Sequence, residues 1–356
     1  MSTRVRSYSK VNLGLAVGPV RADGFHGLAT AYQTLGLHDF VWVTARRAAK
    51  TVVRLEADHP GVPSTAQGNA ERNTAWKMVA GALARLGVTA EVEIGIEKRL
   101  PVQGGMGAGS ANAAAALLGL ERELGLALGG AERLRLAAEV GSDVPLFLLG
   151  GTVLGLGRGE EVFPLPEAGG GLHCVVAVPG VGVSTAAAFR ELDRRQEAGA
   201  SASTLTFQQA AGRLKELSCA LAAVWTPVGS DGVEAGSSGI TRPAGLGHGG
   251  DLAENPLLAL VRTGIENDFE EVVFSQHPSL RSTKRDLLGS SDSGGGNSGD
   301  GGALYAALSG SGSALFGLYE SRAAAEAAQQ RVQANGTRAI LTETLPRREY
   351  WQQMFA

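Results

Sequence analysis

The sequence predicts an α+β protein of two domains, and three observations carry that reading. The chain has 356 residues, and a domain commonly holds roughly 100–200. Strand and helix signals follow one another in mixed order, which disfavours a doubly wound parallel sheet. A glycine-rich break, PEAGGG at 166–171, separates two sets of such signals, so the domains are drawn at 1–168 and 169–356.

Residues 5–17 alternate in polarity over a strand's length, and a glycine-rich turn region follows at 18–27. Residues 40–44 and 52–55 favour β-branched and aromatic side chains and read as strands. The polar stretch 58–72 reads as a loop. From Asn73 to Leu86, apolar residues recur at helical spacing among good helix formers. Val88, Ala90, Val92, Ile94 and Ile96 alternate as a half-buried strand does. A loop at 101–109 leads into a helix over 110–124, and a second helix over 132–140 stops at Gly141. GTVLGLGRGEEV, 151–162, reads as a hairpin at the domain junction. In the second domain 172–178 is an apolar strand, and 204–224 and 257–274 are helical. A glycine-rich loop lies within 304–319, a helix over 323–335 is closed by Gly336, and 338–342 is a last strand.

Two stretches stand apart. Residues 227–250 are rich in Gly, Ser and Pro, and 289–302 read GSSDSGGGNSGDGG. Neither carries enough apolar surface to offset its ordering entropy, so both are expected to be loops. Charge is nearly balanced, with 32 Lys and Arg against 35 Asp and Glu. That composition lacks the basic footprint of a partner for nucleic acid or anionic membrane. No run of 18 apolar residues occurs, and the N-terminal residues hold no apolar signal core. Cys174 and Cys219 form no C-x-x-C pair and no zinc spacing. A reduced, cytosolic setting is expected.

The strongest local feature is LPVQGGMGAGSANAAAAL, 100–117. Its loop runs Pro101, Val102, Gln103, Gly104, Gly105, Met106, Gly107, Ala108, Gly109, Ser110 and Ala111, between a strand and a helix. The glycines and Ala108 leave the backbone bare, so N–H groups can approach an anion, and the helix N-terminus adds partial positive charge. Ser110 is expected to cap the helix or to bind a phosphate oxygen. The Walker pattern is absent, since no lysine lies inside the loop. A plain glycine-rich turn before an alanine-rich helix is the bland alternative.

Three further segments bear chemistry. In SYSKVNLGLAV, 7–17, Lys10 lies within a half-buried strand, where an ammonium group is costly without a partner. Asn12 shares its face at the strand's period of two. In VGSDVPLFLLGG, 140–151, Asp143 follows a helix end, where a turn or cap role is the simpler reading of a lone Asp. In RADGFHGL, 21–28, Gly24 turns the chain and presents Phe25 beside His26; a glycine turn with a surface histidine is the alternative there.

Taken together these segments resemble the signatures of the GHMP kinases. The Lys10 segment is similar to their first signature, the glycine-rich loop to their ATP-phosphate loop, and LSGSGSALFGL at 308–318 to their third. PGVGVST at 179–185 and ENDFE at 266–270 also resemble family segments, and RADGFHGL resembles one found in the diphosphocytidyl-methylerythritol kinases. Met106, Ala108 and Ala111 depart from the usual Leu, Gly and Ser. The resemblance implies a ribosomal-protein-S5-like domain followed by a ferredoxin-like one, with ATP and a small-molecule substrate meeting between them. It implies transfer of the γ-phosphoryl group to the 2-hydroxyl of diphosphocytidyl-methylerythritol, with Asp143 as base and Lys10 as its charged partner. Asn12, Phe25, His26 and Thr185 are expected on the substrate, with Phe25 stacked on cytosine. Asn73 is expected either at the adenine or as a helix cap. Mg²⁺ is implied by ATP chemistry, without a ligand that can be named. No nucleic-acid or membrane partner is expected, and the chain is expected to act as a monomer or homodimer. A mevalonate or homoserine kinase of the same superfamily, or a GHMP-fold binding protein without catalysis, are the competing readings.

Overall fold

Two sheets, each with helices on one face, organise the chain in a computed structural model that describes residues 2–21, 24–102, 104–167, 170–200, 257, 266–289 and 302–356. The readings at 204–224, at 227–250 and over most of 289–302, together with Gln103 and Cys219, lie outside the described residues.

The first sheet is built on one long antiparallel hairpin, β1 (Thr3–Val20) and β2 (His26–Arg47). Gly24 closes it with φ +80°, a left-handed conformation that favours glycine. The free edge of β2 is shared. Its first half pairs with β5 (Thr152–Leu156) and its second with β4 (Ala90–Glu97), while β3 (Val52–Ala57) joins β4 in parallel. β6 (Glu161–Pro164) completes the β5–β6 hairpin expected at 151–162. Register shifts after Tyr8 and after Asn12 bracket Lys10. Such bulges bend a strand and re-aim its side chains.

Helices α1 (Thr74–Leu86), α2 (Ala108–Leu124) and α3 (Gly130–Val140) cover one face of this sheet. The core between them holds Val5, Val41, Val43, Ile94, Met78, Leu117 and Phe147. α2 is buried on nearly every side, which accounts for its run of alanines. At Gly119 an added Cβ would stand 2.6 Å from Val43 Cγ2, so the helix backbone lies directly against the sheet.

The second sheet has the order β10-β7-β9-β8, all antiparallel, from β7 (His173–Val178), β8 (Tyr305–Leu308), β9 (Leu315–Tyr319) and β10 (Arg338–Glu343). With helices between β7 and β8 and between β9 and β10, this is the ferredoxin-like split βαβ arrangement. The helices are α4 (Thr185–Ala200), α5 (Phe269–Gln276), α6 (Pro278–Leu288) and α7 (Arg322–Ala334). β7 alternates as a strand covered on both faces must. Val175 and Ala177 pack toward the helices with Phe269 and Val332, whereas Cys174 and Val176 pack with Val11, Leu13 and Leu35 of the first hairpin. The two sheets therefore share a core. The last helix, α8 (Arg347–Gln353), returns to the first lobe, where Leu345, Tyr350 and Met354 join its core.

Several sequence readings are corrected. The expected turn region at 18–27 narrows to the stretch between Val20 and His26, and β2 begins at His26 rather than at residue 40. α2 begins at Ala108, two residues before the expected start. Of the helix expected at 257–274, Leu257 is helical and α5 begins at Phe269, after Asn267 in its bridge to Leu15; 258–265 lie outside the described residues. α4, α6 and α8 were not foreseen. In α4 and α6 the apolar positions are few, so each helix is mostly polar face.

Candidate active site

The site forms where β1, β2, the start of α2, the turn after α3 and the loop between β8 and β9 converge. Lys10 is 3% exposed. Its Nζ donates to Asn12 Oδ1 at 2.6 Å and lies 3.3 Å from Asp143 Oδ2. A buried ammonium needs such partners, because desolvation alone would disfavour its charge. Asn12 Nδ2 donates to Thr30 Oγ1 at 2.8 Å, and that hydroxyl donates to Gly14 O at 2.7 Å. The chain from Asp143 to the backbone thus runs through three side chains. Asp143 lies in the turn between α3 and a short 3₁₀ helix, Pro145–Leu148, and does not cap that helix. Its second oxygen, Oδ1, accepts the hydroxyl of Tyr32 at 3.0 Å. Burial and the nearby Asp143 carboxylate push the Tyr32 phenol well above its ordinary pKa, so it remains a donor.

The glycine-rich loop is stitched to this cluster. Lys10 N donates to Met106 O at 3.1 Å. Gly107 precedes α2 with φ +70°, and an added Cβ there would meet Phe147 Cζ at 2.9 Å and Lys10 Cγ at 3.1 Å. Ser110 lies inside the first turn of α2, not at its cap as expected, and no side chain caps the helix. The first N–H groups of a helix have no partner within it. In α2 they follow Gly107, whose Cβ position lies 3.1 Å from Lys10 Cγ. Ser110 Oγ lies 3.9 Å from the Cβ position of Gly141, beside the Asp143 turn.

A second glycine-rich loop closes against the first. Gly312 has its Cβ position 2.6 Å from Gly105 N, and Ser309 Oγ donates to Gly105 O at 3.0 Å. The Cβ position of Gly310 lies 3.7 Å from Lys10 Nζ. Asn267 holds this loop: its Nδ2 donates to Leu308 O at 2.9 Å and Gly310 O at 2.8 Å. Thr185 begins α4 and its hydroxyl shares a hydrogen bond of 2.8 Å with Ser311 Oγ.

Other expected residues are placed differently. Asn73 caps α1, accepting from Ala75 N at 2.9 Å, and its amide donates to Pro63 O at 3.1 Å, so both ends of the side chain are engaged in the fold. Thr74 Oγ1, next to it, donates to Gly109 O at 2.6 Å. Phe25 is 53% exposed, with the Arg158 guanidinium 5.0 Å from its ring centre. His26 points into the second lobe. Its Nδ1 lies 3.0 Å from Gly18 O and its Nε2 3.2 Å from Asp193 Oδ1, and its ring stacks on Phe189 at 4.8 Å. Tyr32, Thr30, Asn267 and Phe189 were not singled out from the sequence. Thr30 and Tyr32 alternate with Ala29 and Ala31, a period-two signal that recognising the first half of β2 would have exposed. Among the described residues no group of three or more His, Cys, Asp or Glu could hold a metal ion, and no helix is long and apolar enough to cross a membrane.

The sequence matches two families, described as the GHMP kinases N terminal domain over residues 73–151 and the GHMP kinases C terminal over 253–338. The chain belongs to the GHMP kinases, which use ATP as co-substrate. A relative from Solibacter usitatus, a 4-diphosphocytidyl-2-C-methyl-D-erythritol kinase, is 35% identical over 318 residues, covering 89% of this chain and 81% of that one. The crystal structure of a 4-(cytidine 5'-diphospho)-2C-methyl-D-erythritol kinase superposes with a TM-score of 0.62 at 26% identity, over 96% of this chain and 99% of that one. The homoserine kinase of Cytophaga hutchinsonii superposes equally well, with a TM-score of 0.63 at 20% identity over 97% and 95%. That likeness is one of fold alone.

Proposed function

We propose that this chain transfers the γ-phosphoryl group of ATP to the 2-hydroxyl of 4-diphosphocytidyl-2-C-methyl-D-erythritol. The observation that carries the reading is the Lys10–Asp143 pair, 3.3 Å apart, set between two glycine-rich loops and an uncapped helix N-terminus. Sequence identity across 89% of the chain to a kinase of that name supports the choice of alcohol.

The acceptor hydroxyl is tertiary, crowded and weakly acidic. It needs alignment with the γ-phosphorus and a place for its proton. Asp143 accepts that proton. Lys10 pairs with Asp143 at 3.3 Å, and its charge offsets the negative charge gathering on the transferred group. Asn12 holds Lys10 in place and stands beside the reacting diol. The backbone of Pro101, Val102, Gly104, Gly105, Met106, Gly107, Ala108, Gly109 and Ala111, with the Ser110 hydroxyl, cradles the phosphates at the start of α2. Magnesium would offset charge on the ATP phosphates it arrives with; among the described residues no group of three or more His, Cys, Asp or Glu could hold it. Phe25 offers an exposed ring face for cytosine, and a stack needs only such a face. Thr185, tied to Ser311, lies on the substrate side of the second loop.

Phosphorus NMR of the product tests both the reaction and its regiochemistry. A phosphate on a tertiary carbinol has no proton on the bonded carbon, so its resonance carries no three-bond coupling from that position. A phosphomonoester signal split by such a proton would place the phosphate on a primary or secondary hydroxyl and overturn the assignment.

A further inference from the structure

Asp143 sits in a turn rather than in a regular element, and its carboxylate is 31% exposed. A base held by one flexible ion pair would sample many orientations. Two side chains divide it instead: Lys10 takes Oδ2 and Tyr32 takes Oδ1. We propose that Tyr32 is a positioning residue for phosphoryl transfer, its hydroxyl fixing the Asp143 carboxylate so that the oxygen beside Lys10 is aimed at the acceptor hydroxyl. The proposal rests on the reading of Asp143 as base.

The surroundings of Tyr32 fit that role. The residue is 2% exposed and is the register partner of Asn12 across the β1–β2 hairpin, so it is tied to the strand that carries Lys10. Its ring centre lies 5.5 Å from Lys10 Nζ. The β5–β6 hairpin leaves room for it by omitting two side chains. A Cβ at Gly155 would stand 2.5 Å from Tyr32 Cε2, and one at Gly159 would stand 2.4 Å from the hydroxyl itself. Gly159 has φ +102°, so glycine is favoured there on two counts. The hydroxyl is therefore confined by backbone on one side and directed to Asp143 on the other. Its raised pKa keeps it protonated across the working range of a kinase. The hydroxyl does not touch the reacting atoms in this scheme; it acts through Asp143. A displacement on the order of 1 Å at a reacting group can cost about a hundredfold in rate, which is the scale such a constraint guards against.

The test is a double-mutant cycle on kcat and KM, with Tyr32→Phe, Asp143→Asn and the two combined. Tyr32→Phe is expected to lower kcat by about tenfold to a hundredfold, the worth of one hydrogen bond to a charged group. KM for both substrates should stay within about threefold, as expected when only a transition-state contribution is lost. In the Asp143→Asn background the same change should cost less than about twofold, because residues that act as a unit are non-additive. An unchanged kcat in Tyr32→Phe, or an equal loss in both backgrounds, overturns the positioning role and leaves the base reading intact. Full activity in Asp143→Asn alone overturns the base reading itself. Gly159→Ala provides an independent route, since its methyl would occupy the hydroxyl's place. It is expected to slow the Tyr32 enzyme markedly and to cost less in Tyr32→Phe, where the space is free; equal slowing in both contradicts the proposal.

Discussion

Lys10 reaches the site because β1 buries it, with Asn12 in the same strand and Asp143 in the turn after α3 as its partners. Asp143→Asn keeps the shape of the side chain and removes the base, and Lys10→Ala removes the charge beside it. Each is expected to lower kcat by roughly 10²–10⁴, the usual scale of general-base and electrostatic contributions. The paired variant should lose far less than the product of the two, which steady-state kinetics on the four proteins would establish. Phe25→Ala should raise KM for the cytidine substrate by about 5–150-fold, since a base stack is worth roughly 1–3 kcal/mol. KM for ATP should hardly move, because the phosphate loop lies elsewhere; the reverse pattern would misplace the cytosine pocket. Lys10 was singled out as costly in a half-buried strand and Asn12 as sharing its face, whereas Asp143 was drawn in only through the resemblance to the GHMP kinases. Tyr32 was not, because a tyrosine among small residues reads as core until its strand is known to run past Asp143. His26 illustrates the limit from the other side. Its ring was expected on the substrate, and the structure commits it instead to Gly18, Asp193 and Phe189.

At the scale of elements, the two glycine-rich loops matter as a pair. Gly312 lies against Gly105 with no space for a methyl group between them, since its Cβ position is 2.6 Å from Gly105 N. Gly312→Ala should push the loops apart, at roughly the 1–3 kcal/mol typical of overpacking. The expected result is a lowered Tm together with a raised KM for ATP. A lowered Tm with unchanged ATP kinetics would show that the apposition is structural only. Asn267 binds the second loop through two carbonyls, and Asn267→Ala leaves those groups unpaired at a cost of about 1–3 kcal/mol each. Thermal unfolding should register it, and the loss of kcat should exceed that of an alanine placed on the solvent face of α7. Each glycine-rich loop was legible by composition. Their contact was not, since glycine carries no side chain whose pattern could announce a neighbour. The corrected start of β2 has a related cause. Its first half buries the polar Thr30, Gln33 and Thr34 along with Ala31 and Tyr32, so burial there does not follow the apolar pattern from which a strand is read.

For the whole molecule, the mixed order of elements was enough to predict an α+β chain, whereas the architecture of each half was implied only by the resemblance to the GHMP kinases. The shared core between the sheets was not foreseen, nor was the return of α8 to the first lobe. Both depend on residues far apart in sequence, such as Leu13 with Phe316 and Tyr350 with Phe147. The fold is common to kinases of quite different alcohols, so the identity of the substrate is the claim most in need of a direct test. A coupled ADP-release assay offers that test, with diphosphocytidyl-methylerythritol, mevalonate and homoserine compared side by side at saturating MgATP. The account predicts turnover with the cytidine compound and a kcat/KM lower by about a hundredfold for the other two, since neither carries a base to stack on Phe25. Comparable turnover of mevalonate or homoserine would contradict it and make RADGFHGL an ordinary turn.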